Sequence, residues 1–129
     1  MARALTATAV AGAMLLGGGE LASATHVKKV SSTLSIHYRH EFYGDVSSVK
    51  RKCVRGRNVR LYKLQRDGDR RLVGRDRTGR SGNWRIPKDN PKGRYTAEIG
   101  PKFYQGYAHT IKCQGDRSPI IKVRPSDDE

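Results

Sequence analysis

The sequence lacks the motifs by which several enzyme classes are recognised. It contains no CxxC pair, no HExxH motif and no GxSxG elbow, so the patterns of thiol redox enzymes, zinc proteases and serine hydrolases are missing. Its two cysteines are too few to form a zinc site of four thiolates. We therefore expect no catalytic residue, no metal ligand and no cofactor.

Long apolar segments are also missing. The one apolar run, residues 5–16, is shorter than the roughly 20 residues that cross a bilayer. It follows Arg3 and precedes the small residues Ala22-Ser23-Ala24, a pattern typical of a secretory signal peptide. We therefore predict a signal peptide over residues 1–24 that is cleaved after Ala24, no transmembrane anchor, and a secreted, extracellular product.

Acidic residues are scarce relative to basic ones. The chain has 12 Asp and Glu against 26 Lys and Arg, which gives a net charge of +14. Cleavage would remove Arg3 and Glu20, whose charges cancel, so the mature chain keeps this excess. Such a charge attracts polyanions and accelerates their encounter with the protein. The residues predicted to bind anions are Lys50, Arg51, Lys52, Arg55, Arg57, Arg60 and Arg80.

The candidate partners of this basic surface follow from the compartment in which the protein is expected, and not from a motif in the sequence. An exported protein meets wall polymers, acidic polysaccharide, anionic lipid head groups and released DNA. No recognition helix is predicted, and most large aromatic residues fall on rows needed for a core, so binding should be without sequence specificity and steeply salt-dependent. The competing interpretation is that the basic side chains only keep the surface soluble. The sequence does not predict the oligomeric state.

Cys53 and Cys113 are predicted to form one disulfide, as is usual for a small exported domain. Closing a loop of about 60 residues would contribute on the order of 4 kcal/mol. A redox pair or a metal site is the less favoured alternative, because neither the CxxC spacing nor a matching His–Cys spacing occurs.

The mature chain lacks a helical apolar stripe and alternates with a period of two instead. Leu34 and Ile36, for example, alternate with Ser35 and His37, which places apolar side chains on one face of a strand. Turn-forming residues separate such runs about every ten residues, as in all-β sandwiches. Strands are predicted at 31–38, 42–49, 57–64, 70–77, 82–87, 93–99, 106–113 and 119–124.

These predictions give a single all-β domain over residues 31–124, a β-sandwich of 7–8 antiparallel strands with one disulfide. Residues 25–30 are interpreted as a flexible lead-in and residues 125–129 as an acidic tail.

The order of motifs from Phe42 onward resembles a known group of folds. The block T-x-x-x-G-x-W-x-I is followed by P-x-G-x-Y, and the pattern C-x-x-x-R-x-V by V-G-x-D-x-T. Together they are similar to transthyretin-like, carboxypeptidase-regulatory-like and Cna-B-type domains, and to small secreted bacterial β-sandwich proteins of unknown function. The resemblance implies a transthyretin-like or Ig-like sandwich and does not imply a function. The residues that carry the two hairpin motifs are Thr78, Gly82, Trp84, Gly93 and Tyr95.

Two activities of related folds find no support in the sequence. The purine-breakdown hydrolase that shares the transthyretin fold ends in Tyr-Arg-Gly-Ser, whereas this chain ends in PSDDE. No lysine and asparagine can be matched to the isopeptide crosslink of Cna-B domains. The loop TGRSGNWRIP carries a GxxG element, but it lies between strand-like runs and not between helices, so it is interpreted as a turn in which Gly79 and Gly82 adopt conformations unfavourable for other residues.

We therefore expect a secreted, non-catalytic binding or structural protein with a basic surface for anionic polymers. The alternative is a small secreted hydrolase that acts on an anionic polymer. Such an enzyme would need His37, His40 or His109 in a concave site beside a carboxylate or a basic partner. A binding protein would need only a continuous basic face.

Overall fold

The computed structural model describes residues 26–124, so the predicted signal peptide and the acidic tail lie outside the described residues. This part of the chain is all-β, with a single turn of 3₁₀ helix at Arg51–Cys53. The strands are β1 Val27–Val30, β2 Thr33–Leu34, β3 His37–Arg39, β4 Glu41–Ser47, β5 Asn58–Leu64, β6 Arg70–Arg77, β7 Asn83–Ile86, β8 Gly93–Ile99, β9 Lys102–Gln105, β10 Thr110–Cys113, β11 Asp116–Arg117 and β12 Ile121–Val123.

The strands form three sheets. The largest has the order β11-β8-β5-β6, with β12 also paired to β8. A second sheet has the order β2-β4-β3, with β7 also paired to β4. The third, which we call the terminal sheet, has the order β1-β10-β9. All described pairings are antiparallel except that of β1 with β10, which is parallel.

One core takes side chains from the first two sheets, and the predicted alternation explains it. Val59 and Leu61 of β5 are buried, whereas Arg60 between them is exposed. Opposite them, Phe42 of β4 and Trp84 of β7 contribute their rings to the same cluster. At about 25 cal/mol per Å² of apolar area removed from water, this cluster is the main source of stability in the described domain.

The prediction of 7–8 strands over residues 31–124 is wrong, because the structure has eleven strands in that range and twelve in the described residues. The predicted strand 31–38 is interrupted at Ser35, whose hydroxyl and backbone N–H bond to Asp45. The predicted strand 106–113 begins in a turn closed by the Gly106 N–H, which donates to the His109 carbonyl at 2.7 Å. Strands β9 and β11 have no counterpart in the prediction.

The predicted lead-in differs most from the structure. Residues 25–30 were expected to be flexible, whereas Val27–Val30 forms β1 and pairs with β10 from Val27↔Thr110 to Val30↔Cys113. Only Val30 of this strand is buried, so the segment has no alternating apolar row that could have predicted it.

The predicted disulfide between Cys53 and Cys113 is confirmed. It joins the 3₁₀ turn to β10, and both cysteines are fully buried. They form a small second core with Val30 and Ile111, against which Tyr104 packs. The disulfide is therefore a central part of what attaches the terminal sheet to the rest of the domain.

The loop after β6 is a turn, as its flanking sequence predicts. The Gly82 N–H donates to the Gly79 carbonyl at 3.0 Å, and the Gly79 N–H donates to the Asn83 carbonyl at 3.1 Å. Gly82 has φ +87°, and a Cβ there would lie 2.5 Å from both the Val46 carbonyl oxygen and Val54 Cγ1. Only Gly82 needs to be glycine on these grounds, because Gly79 has no positive φ and open space around it.

Candidate anion-binding site

Arg57 is a buried arginine immediately before β5. It is only 1% exposed. Its Nη1 donates to Ser32 Oγ at 2.9 Å and to the Cys53 carbonyl at 2.7 Å. Its Nη2 donates to the carbonyls of Gly100 and Gln114, at 2.7 and 3.0 Å. Arg57 thus links the 3₁₀ turn and the segments that follow β8 and β10.

All of these partners are electrically neutral. Buried guanidinium groups usually lie against a carboxylate, because taking the charge out of water is costly. Within residues 26–124 no acidic side chain bonds to Arg57, and burial lowers the pKa of its guanidinium. Arg57 therefore adds an uncompensated positive charge beneath the surface.

Lys102, at the start of β9, lies above this charge. Its Nζ donates to the carbonyls of Lys52 and Arg55, both at 2.9 Å. Burial is the main cause that lowers the pKa of the Lys102 ammonium, and the positive charges of Arg57, Arg55, Arg77 and Lys52 lower it further. The ammonium is thus fixed in place among other cations.

We call the recess beside these residues the arginine pocket; it has a volume of about 420 Å³. Its charged lining residues are Arg57, Arg60, Arg77, Lys102 and Glu98. The only carboxylate, Glu98, is already paired with Arg70 and with Arg117. The pocket is therefore strongly electropositive.

A second concavity lies on the terminal sheet, with a volume of about 690 Å³. We call it the lysine–tyrosine groove, because its lining includes Lys28, Lys50, Lys52, Tyr104, Tyr107 and His109. The Lys52 Nζ lies 5.2 Å from the centre of the Tyr104 ring. Tyr107 is fully exposed. The groove thus combines cations with aromatic faces that are open to solvent.

Several acidic residues of the described chain are used for structural contacts elsewhere. Asp116 accepts the Leu34 N–H at 2.8 Å, and Asp76 accepts the Arg85 N–H at 2.8 Å. Asp45 bonds to Ser35. No carboxylate lines the lysine–tyrosine groove, so its cations have no acidic neighbour on the groove wall.

The structure distributes the predicted anion-binding residues over both concavities. Lys50 and Lys52 line the groove, and Arg57 and Arg60 line the arginine pocket. Arg51 and Arg55 are exposed on the segment between them, and Arg80 is exposed in the loop after β6. Arg57 differs from the others because its terminal nitrogens bond to the protein itself.

Sequence reasoning missed three basic residues of these sites. Lys102 lies between two predicted strands and is not among the predicted anion-binding residues. Lys28 belongs to the basic pair Lys28-Lys29, which counts only toward the general basic charge. Arg77 was noted only as part of the general basic charge. No sequence signal identifies Lys102, because residues 102–105, KFYQ, do not alternate between polar and apolar side chains, and the structure exposes Phe103 while Lys102 and Tyr104 are half-buried.

The histidines are separated in the structure. His109 lines the groove, and its ring contacts that of His26 edge-on at 5.8 Å. His37 stacks on Tyr43 at 5.3 Å and lines a different, shallow recess without a carboxylate. His40 forms the tip of the β3–β4 hairpin, with φ 68°. Among residues 26–124, no group of three His, Cys, Asp or Glu side chains could hold a metal ion.

The residues of the two hairpin motifs have structural roles near these sites. The Thr78 hydroxyl donates to the Val54 carbonyl and accepts the Arg57 N–H, both at 2.8 Å, and so holds the segment that presents Gly56. Trp84 and Tyr95 belong to the main core. Gly93 begins β8 with φ +116°.

Comparisons with protein-family models, curated proteins and solved structures found no match. In the part of the chain from His26 to Arg124, no helix is long and apolar enough to span a membrane.

Proposed function

We propose that this protein is a secreted, non-catalytic binding protein that holds anionic polymers on its basic surface. The observation that supports it best is the lysine–tyrosine groove, where three lysines and two tyrosines line one open concavity. Lysines provide sequence-independent attraction to a charged backbone. The exposed Tyr107 and the half-buried Tyr104 add flat faces for the sugar or base rings of a polymer.

The fold we propose with this function is a transthyretin-like or Ig-like sandwich. Its support is the shared core, to which β4 and β7 contribute from one sheet and β5 and β8 from another. Secretion is supported by the buried disulfide, because disulfides persist mainly in oxidising compartments. Neither feature depends on the identity of the polymer.

The proposal is tested by titrating the mature, oxidised protein against probes of the proposed classes. Suitable probes are a uronic-acid polysaccharide, poly(glycerol phosphate), duplex DNA and vesicles that contain phosphatidylglycerol, each over a series of sodium chloride concentrations. We expect binding at low salt that weakens steeply as salt increases. Absence of binding to every probe at low salt would contradict the proposal, as would turnover of any probe.

Matched variants separate the groove from the general charge. Replacing Lys28, Lys50 and Lys52 together by glutamine removes three exposed charges from the groove. The control replaces Arg66, Arg71 and Lys92, which are equally exposed and line neither concavity, by glutamine. The groove variant should lose much more affinity than the control. Equal losses would show that net charge alone, and not the groove, attracts the polymer.

A further inference from the structure

The arginine pocket differs from the groove in the way it is built. Its lining includes Gly56, a residue with φ +64° in the turn before β5. The position that a Cβ on Gly56 would occupy lies 3.4 Å from Arg77 Nη2 and 3.7 Å from Lys102 Nζ. The Arg77 guanidinium and the Lys102 ammonium therefore both lie close to the position that a side chain of Gly56 would occupy. Like charges repel, so this arrangement favours a negative group between or beside them.

The two cations retain free donors. An ammonium has three N–H groups, and Lys102 uses two of them on backbone carbonyls, so one remains. The Arg77 guanidinium makes no hydrogen bond or ion pair with any residue in 26–124, so its planar set of donors is unused. Such a set matches two oxygens of one phosphate or sulfate group.

Arg57 contributes to the pocket through its charge. All four terminal N–H groups of its guanidinium already bond to the protein. No carboxylate bonds to it, so its field is not cancelled locally. Because its position is fixed by these hydrogen bonds, the field requires no rearrangement when an anion arrives.

From these three observations we propose that the arginine pocket binds one tetrahedral oxyanion group, of the phosphate or sulfate class, through Arg77 and Lys102. The volume of about 420 Å³ is within the range of small-molecule sites. Arg60, on the pocket wall, adds a further positive charge. The ligand is either the free ion or the charged end group of a larger molecule. Neither Arg77 nor Lys102 lines the lysine–tyrosine groove.

The test is a titration of the mature, oxidised protein with inorganic phosphate, sulfate and methyl phosphate, each against sodium chloride at the same ionic strength. Calorimetry measures the affinity, and the backbone amide NMR signals locate the site. We expect saturable binding, with the largest shifts at Gly56, Arg57 and Gly100. Tighter binding of methyl phosphate than of phosphate would identify an end group as the ligand, and the reverse order would identify the free ion.

Arg77→Gln is the decisive variant, because Arg77 is exposed and its side chain supports no other part of the described fold. It should weaken oxyanion binding about tenfold or more, since a charge-assisted pair of hydrogen bonds is lost. The matched control, Arg71→Gln, removes an exposed charge from the same strand, outside the pocket, and should change the affinity less than twofold. A groove variant restricted to Lys28→Gln and Lys50→Gln, which keeps the Lys52 charge near Lys102, should bind oxyanions normally, which separates this proposal from the previous one.

Two results would overturn the proposal. One is that neither phosphate nor methyl phosphate nor sulfate binds more tightly than chloride. The other is that Arg77→Gln and Arg71→Gln bind equally well, which would show diffuse attraction to the net charge.

Discussion

Trp84 lies in the main core, although it follows the loop that carries the GxxG element. Its indole is 2% exposed and pairs across the strands with Gly44, where a Cβ would lie 2.8 Å from the indole Nε1. That N–H has no hydrogen-bond partner among the described residues. The ring therefore provides apolar area at the expense of one unsatisfied donor.

We expect Trp84→Ala to reduce the free energy of unfolding by roughly 3 to 5 kcal/mol, because it leaves a large cavity. Trp84→Phe keeps most of the ring and removes the unsatisfied donor, so its cost should be about 1 kcal/mol. Urea denaturation of both variants measures the difference. If Trp84→Phe were as destabilising as Trp84→Ala, the indole N–H would have to make a bond that stabilises the fold.

Lys102 should make the stability depend on pH. Burial and neighbouring cations lower its pKa in the folded state below the ordinary value of 10.5. At pH values between the lowered pKa of the folded state and the ordinary pKa of the unfolded state, Lys102 binds more protons in the unfolded chain than in the folded one. The contribution of Lys102 to the free energy of unfolding therefore rises with pH. The free energy of unfolding should be measured for the wild type and for Lys102→Met from neutral pH to about pH 10.5. As the pH increases, the free energy of unfolding of the wild type should rise relative to that of the variant. A constant gap would contradict the prediction.

Among the elements, the terminal sheet depends most on a single covalent bond. Its small core consists of Val30, Ile111 and the two cysteines, and it is separate from the cluster that includes β5 and β8. Few apolar contacts remain to hold β9 and β10 in place once the disulfide is absent. The sheet is therefore the part of the described fold with the lowest local stability.

The double variant Cys53→Ala and Cys113→Ala should lose on the order of 4 kcal/mol of stability. Hydrogen exchange should accelerate first in β9 and β10, while amides of β5 and β8 stay protected in the native state. The wild-type protein, labelled with a thiol reagent without reductant, should show no reactive cysteine. Uniform acceleration in all strands would show that the terminal sheet is part of the same cooperative unit.

How well the elements could be predicted depended on their burial. Strands β5, β6 and β8 match the predicted 57–64, 70–77 and 93–99 closely. Their sequences either alternate between apolar and polar residues or are flanked by clear turn-forming residues. Strand β1 could not be predicted, since its pairing is with a strand from the opposite end of the domain and three of its four residues are exposed. The convergence of Lys102 and Arg77 on Gly56 could not be predicted either, because the three residues lie on segments that are far apart in the sequence.

For the whole molecule, the charge of +14 should itself oppose folding. Within residues 26–124, ion pairs involve only Glu41 and Glu98 as acids, so most basic side chains there repel one another. Screening acts over about 10 Å at 0.1 M salt. Self-repulsion of this kind destabilises the compact state.

Adding sodium chloride up to about 0.1 M should therefore raise the thermal unfolding midpoint. The control variant of Arg66, Arg71 and Lys92, which carries three charges fewer, should begin with a higher midpoint and gain less from salt. A midpoint that is insensitive to salt in both proteins would show that the charges are already compensated within the fold.

The parallel pairing of β1 with β10 has a consequence for the order in which the chain can fold. A ribosome makes Val27–Val30 early and Thr110–Cys113 late, so β1 must wait without a partner while the intervening strands are synthesised. Contacts between such distant segments close slowly, because a long loop must be ordered first. The terminal sheet, which carries most of the lysine–tyrosine groove and contributes Lys102 to the arginine pocket, should be the last part of the protein to assemble.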